Sequence, residues 1–179
     1  EEYDVIIVGL SWVGLSTAYY CAKKGMKVLG LEMNSHPGSL GTSSYGQTRL
    51  WRVTHGMKVK NEMMEDAIKL WKEIEKECDQ ELRVKLPCIT MGSLKDDNFR
   101  HTVEQFPDEY LYDAQEIMEM YPALKNLPDD YKGLINSDGS GVVMAERSLK
   151  AFHGLWEKED GVELKFNTKV VKVGKNEVE

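Results

Sequence analysis

The sequence predicts an α/β fold built on a parallel sheet, and three observations at its amino end predict it. The run Asp4-Val5-Ile6-Ile7-Val8 is short, apolar and β-branched, the pattern of a strand buried on both faces. It enters the turn Gly9-Leu10-Ser11-Trp12-Val13-Gly14, and a helical pattern follows with Leu15, Ala18, Tyr19 and Ala22 on one stripe. Gly25 stops that helix, Val28–Leu31 is a second buried strand, and Glu32 closes it. Strand, glycine turn, helix, strand and acid in this order are the layout of a dinucleotide-binding βαβ unit. The turn, Trp12 included, offers backbone N–H groups and a helix amino end to a pyrophosphate, and the acid accepts hydrogen bonds from a ribose. The two strands are expected to be adjacent, parallel and central in their sheet. An edge position for Val5–Val8, or antiparallel pairing, counts against that reading.

One position departs from the GxGxxG fingerprint. Ser11 stands where the second glycine normally lets the backbone approach the pyrophosphate. Its hydroxymethyl group either pushes the phosphates away or offers them a hydroxyl donor. On sequence alone, Ser11→Gly is expected to leave nucleotide binding unchanged or to tighten it. A marked loss would make the hydroxyl a phosphate ligand.

Bulk properties narrow the partners. The chain has 179 residues, 23 basic and 30 acidic side chains and a formal charge of −7, with no basic block. Nucleic acid and anionic membrane are therefore poor partners. No apolar run approaches the ~20 residues that span a bilayer, and an amino end that enters a strand at once leads to the expectation of no signal peptide. Cys21 and Cys78 lie in helical patterns and Cys88 in a strand-like one, without CxxC spacing. Reduced thiols in a reducing compartment, cytoplasm or peroxisome, are expected, and no metal site.

The remaining elements follow in order. Residues 33–58 read as a long polar connection, of a length that usually binds something. Residues 59–78 read as a helix with Val59, Met63, Ala67, Leu70, Trp71, Ile74 and Cys78 on its inner stripe and Lys/Glu outside. A strand is expected at residues 88–91 and another at 110–112. Asp113 and Glu116 have the spacing of a capping box for a short helix that Pro122 ends. Strands at 133–136 and 141–144 flank the turn Ser137-Asp138-Gly139-Ser140. A helix carrying Leu149, Phe152, Leu155 and Trp156 is expected to close at Gly161. Strands at 162–166 and 170–173 precede a turn at Gly174-Lys175-Asn176, and the chain reads as the amino-terminal half of something longer.

A second motif lies in the polar connection, Gly41-Thr42-Ser43-Ser44-Tyr45-Gly46-Gln47-Thr48-Arg49-Leu50-Trp51-Arg52. Small polar residues let a backbone fold closely around a ligand. A buried guanidinium needs a partner, so two arginines three apart are either site groups or exposed surface charges. With the βαβ unit, this segment resembles the FAD-dependent amine oxidases of the sarcosine oxidase and pipecolate oxidase group, in the D-amino-acid-oxidase-like superfamily. That group carries a loop of the form GSSHGxxRxxR, matched here at Ser43, Ser44, Gly46, Arg49 and Arg52, with Tyr45 in place of the usual His. Weaker matches are the Asn-Ser-Asp-Gly-Ser-Gly-Val-Val-Met run from Asn136 and Thr168-Lys169-Val170.

The resemblance implies an α/β fold: an FAD-binding Rossmann-like domain, residues 1–85 plus 135–179, with part of a second α+β substrate domain, residues 86–134. It implies that Gly9, Ser11 and Gly14 hold the FAD pyrophosphate and Glu32 the adenosine ribose. Ser43, Ser44 and Thr48 then line the flavin side of the loop, and Val170 meets the adenine through its backbone. Arg49 lies against the isoalloxazine, where a cation stabilises negative charge on the reduced ring. Arg52 pairs with the carboxylate of a small N-alkyl or cyclic amino acid. The implied reaction takes a C–N bond to an imine by hydride-equivalent transfer, with molecular oxygen returning as peroxide. Other readings are a nucleotide-binding module without catalysis, favoured by Ser11 and Tyr45, an NAD-dependent dehydrogenase, which has no need of the serine-rich loop, and a plain structural domain, which the tandem motifs disfavour.

Overall fold

The computed structural model describes residues 2–136, 139–175, 177 and 178. In chain order its elements are β1 (Val5–Val8), α1 (Trp12–Lys23), β2 (Val28–Leu31), β3 (Thr48–Trp51), α2 (Lys58–Cys78), β4 (Arg83–Lys85) and β5 (Cys88–Ser93). There follow α3 (Asp97–Val103), β6 (Leu111–Asp113), α4 (Ala114–Met120), β7 (Tyr131–Asn136), β8 (Gly141–Met144), α5 (Ala145–Trp156) and β9 (Val162–Lys165). They gather into two compact units, one of Glu1–Arg49, Glu75–Leu82 and Met144–Glu179, the other of Leu50–Ile74 and Arg83–Val143.

The first unit contains a parallel sheet in the order β1-β2-β9, with Val5 opposite Val28 and Val28 opposite Val162. β2 is buried along its length, as a strand with a neighbour on each side should be. Leu15, Ala18, Tyr19 and Ala22 are the buried stripe of α1, as their spacing requires. They pack beside α5, whose Leu149, Phe152, Leu155 and Trp156 are buried. Phe152 takes Trp12 and Tyr19 edge-on, with ring centroids 6.1 and 5.9 Å away. Gly25, at φ +76°, donates to the carbonyl of Ala22 and ends α1 in the left-handed conformation that glycine adopts freely.

The second unit has the sheet β5-β7-β6, antiparallel throughout, and the antiparallel pair of β4 with β8. Asp113 and Glu116 form the capping box of α4 in both directions. Trp51 and Trp71 meet edge to face at 5.8 Å, with the Arg83 guanidinium over both rings.

Several expectations need correction. β1 is adjacent and parallel to β2 but stands at the sheet edge, because no strand pairs with its other side among the described residues. The polar connection is interrupted by β3, which finds β8 as its partner. On α2 the stripe divides: Ile74 is buried and Ala67, Trp71 and Cys78 half-buried, whereas Val59, Met63 and Leu70 are 53%, 66% and 41% exposed. These three lie within about 40° of one another on the outer flank of the stripe. Leu50–Ile74 groups with the second unit, although the boundaries drawn from sequence kept it with the first.

The strands at β7 and β8 pair in different sheets and so do not make a hairpin. The Ser137-Asp138 half of their turn lies outside the described residues, as does Asn176. α5 ends at Trp156, and Gly161, at φ +79°, belongs to the turn entering β9, where its carbonyl accepts from Val28 N–H. Residues 170–172 are not a strand, and Val173 forms an isolated antiparallel bridge to Val178. The short elements β4 and α3 were not anticipated.

Candidate functional site

The glycine turn is as tight as the fingerprint demands. Gly9 sits at φ +88°, and a Cβ on Gly14 would stand 1.8 Å from the Gly9 carbonyl oxygen, so the helix rests directly on the turn. Ser11 is the N-cap of α1 in extended conformation, yet its side chain caps no N–H of its own helix. Its hydroxyl is hydrogen-bonded to that of Ser44, and Ser44 Oγ accepts from Trp12 N–H at 3.4 Å. The loop containing residues 43 and 44 thus comes onto the amino end of α1.

Glu32 follows β2 and is only 5% exposed. One carboxylate oxygen accepts from Leu10 N–H at 2.9 Å; the other accepts from the backbone N–H and side-chain amide of Asn34, at 2.9 and 2.8 Å. The acid therefore ties the turn after β1 to the chain after β2, with charge-assisted bonds that compensate its burial. One acceptor direction remains on the oxygen facing Leu10. Asn34 was not singled out in the sequence; its place two residues beyond the acid was the available signal.

Arg49 turns back on its own loop. Its Nη2 donates to the carbonyls of Ser43 and Tyr45 at 2.5 and 2.6 Å, Nε to Ser43 at 3.2 Å and Nη1 to Thr48 at 2.6 Å. The guanidinium holds the loop's curvature while keeping its charge beside Ser43 and Thr48, both of which are exposed. Val170 is half-buried in irregular chain shortly after Thr168, whose N–H donates to the Glu32 carbonyl at 2.8 Å. The candidates Gly9, Ser11, Trp12, Gly14, Glu32, Ser43, Ser44, Thr48, Arg49 and Val170 all belong to the first unit. A cavity of about 490 Å³ in that unit is lined by Gly38, Ser44, Tyr45, Leu149, His153 and Phe166 among others, and it shares only Ser44 with these candidates.

Arg52 belongs to the second unit and is exposed just beyond β3. Its charge bears on two neighbours. Burial, then Arg52 and Lys60, pushes the His55 imidazole below its usual value, and burial raises the Cys88 thiol against the opposing pull of Arg52. Cys21, Cys78 and Cys88 are free thiols, and no cluster of metal-ligating side chains occurs among the described residues. No helix among them is long and apolar enough to cross a membrane.

Residues 4–179 match the family of FAD dependent oxidoreductases known as DAO. The chain belongs to this FAD-dependent family. It is 32% identical over 178 residues to N-methyl-L-tryptophan oxidase of Escherichia coli, covering 96% of this chain and 47% of that protein. It is 28% identical over 165 residues to monomeric sarcosine oxidase of an Arthrobacter species, covering 88% and 41%. The chain thus spans less than half the length of these curated relatives. Among solved structures it superposes on NikD, described as an unusual amino acid oxidase, with a TM-score of 0.75 at 23% identity, covering 93% of this chain and 44% of that one. L-proline dehydrogenase from P. horikoshii gives 0.73 at 21%, covering 99% and 48%. At these identities the superpositions speak for the fold alone.

Proposed function

We propose that the protein to which this chain belongs oxidises the C–N bond of a secondary amine or N-methyl amino acid to an imine, with oxygen reduced to peroxide. The carrying observation is the joint assembly of the Gly9–Gly14 turn, the Glu32 carboxylate and the loop of Ser43 and Ser44 at one end of one sheet. These residues fit FAD: a turn with no room for a Cβ at Gly14, a helix amino end facing hydroxyls, and an acid with an acceptor position left.

In this reading the turn backbone at Gly9, Ser11, Trp12 and Gly14 receives the pyrophosphate and Glu32 the ribose, while Val170 offers backbone groups to the adenine. Ser43, Ser44 and Thr48 border the ribityl and flavin side. Bound FAD supplies the two-electron acceptor that no side chain provides. Arg49 fixes a positive charge beside it, and its bonds to three carbonyls keep that charge from reorienting. Arg52 orients the substrate carboxylate through its planar fork. Three free thiols accord with a reducing compartment.

The test is a flavin spectrum of the purified protein and an FAD titration, followed by peroxide release from a panel of N-methyl amino acids and cyclic imino acids. Absence of flavin together with absence of saturable FAD binding defeats the proposal. Binding without amine-dependent peroxide from the complete protein establishes the second reading, a nucleotide-binding module without catalysis, which the departures Ser11 and Tyr45 favour.

A further inference from the structure

Ser11 is the one residue of the turn that breaks the fingerprint, and its surroundings show what the extra hydroxyl does. As the N-cap, with φ −79° and ψ −163°, it has the type and backbone conformation to bond an N–H one turn into its own helix, and it makes no such bond. Its hydroxyl instead meets that of Ser44, 33 positions along the chain. Ser44 is 2% exposed and supplies the oxygen within reach of Trp12 N–H, so the capping role passes from the turn to the loop. The loop's own shape is set independently, by Arg49 on the carbonyls of Ser43 and Tyr45 and by the bond from Tyr45 N–H to the Thr42 carbonyl.

We propose that Ser11 and Ser44 form a latch that fastens this loop to the amino end of α1, and that Ser11 positions the cofactor's pyrophosphate site through Ser44 rather than as a phosphate ligand itself. The inference rests on the FAD reading above. A side chain at the second glycine position is tolerated because it points to a loop partner. Its loss leaves a buried Ser44 hydroxyl short of a partner at the amino end of α1, beside the proposed pyrophosphate site. The sequence offered two outcomes for Ser11, crowding or direct ligation; the latch is a third.

A double-mutant cycle separates them. FAD dissociation constants are measured by flavin fluorescence quenching on cofactor-stripped protein, for the unaltered chain, Ser11→Ala, Ser44→Ala, the double variant and Ser44→Thr. The latch predicts that either alanine weakens FAD binding about threefold to tenfold. The double variant should be no weaker than Ser44→Ala alone, and Ser44→Thr should restore affinity. Losses that multiply in the double variant make Ser11 an independent phosphate ligand and overturn the proposal. So does a Ser11→Ala protein that melts earlier but binds FAD with unchanged affinity. If the unaltered protein binds no FAD, the cofactor reading falls and carries the latch with it, an outcome distinct from the other two.

Discussion

Arg49 and Arg52 lie three residues apart in sequence, and the structure gives them different work. Arg49 spends its donors on the carbonyls of Ser43, Tyr45 and Thr48, whereas Arg52 is exposed beyond the strand with its charge directed at His55 and Cys88. In the complete protein, Arg49→Gln should slow turnover with apparent KM largely kept. Arg52→Lys should raise apparent KM about ten- to a hundredfold, because an ammonium cannot reproduce a bidentate pair worth about 1.5–3 kcal/mol. Steady-state kinetics on both variants checks this; equal, small effects would make them ordinary surface charges. The glycines differ as sharply. Gly14→Ala should abolish FAD binding and lower Tm, because the methyl would collide with the Gly9 carbonyl. Gly9→Ala meets no neighbour but must hold φ +88°, a strain of about 1–2 kcal/mol, and should weaken binding more mildly. FAD titration with a parallel thermal melt ranks the two.

At the level of elements, local chemistry was legible where one short signal decides the outcome. The capping box at Asp113 and Glu116 is an example: Asp113→Ala should cost about 1 kcal/mol, seen as a lowered urea midpoint. The buried stripe of α1 was equally plain, since four apolar residues at helical spacing admit one inward face. α2 was less so. Its apolar arc is wider than its buried arc, and only the neighbours it meets decide which flank is covered. Whether residues 170–172 formed a strand likewise depended on a partner that periodicity cannot supply. A third contact was invisible in sequence. The hydroxyl of Tyr19, 2% exposed, donates to Glu77 at 2.5 Å, and Lys23 donates to the same carboxylate at 2.7 Å. Burial, and then the Glu77 bond, pushes the phenol from 10.0 up to about 12. A proton held more tightly in the folded state stabilises fully below the ordinary tyrosine value and is lost as pH rises through the folded one. The fold should therefore shed on the order of 2 kcal/mol between about pH 10 and 12. Denaturant midpoints across that range should show the loss in the unaltered protein and a smaller one in Tyr19→Phe, where Lys23, held above its ordinary value by Glu77, still contributes. Glu77 works in the opposite sense. Lys23 and then Tyr19 hold its carboxyl below the usual range, so its contribution is present above that range and disappears as acid protonates it.

For the molecule as a whole, the strand–turn–helix–strand unit of the candidate site was legible because its parts are contiguous: turn, helix and acid occupy one stretch of chain. What could not be read was the reach between segments, Ser11 to Ser44 and Leu10 to Glu32, since each such bond needs the fold before its partners meet. The placement of β1 belongs to the same class. Its sequence describes a strand covered on both faces and is silent about which strands flank it. Val5 and Gly9 send their N–H groups across to Lys27 and Leu31 of the β2 side. By the alternation of a parallel ladder, Ile6 and Val8 then point theirs the other way, where no strand pairs among the described residues. The edge has no proline and no lysine to discourage a newcomer. Deuterium labelling should therefore split this four-residue strand by parity, with Ile6 and Val8 exchanging early and Ile7 late. Any chain that adds to the strand, in cis or in trans, will announce itself by slowing those two amides and leaving their neighbour as it was.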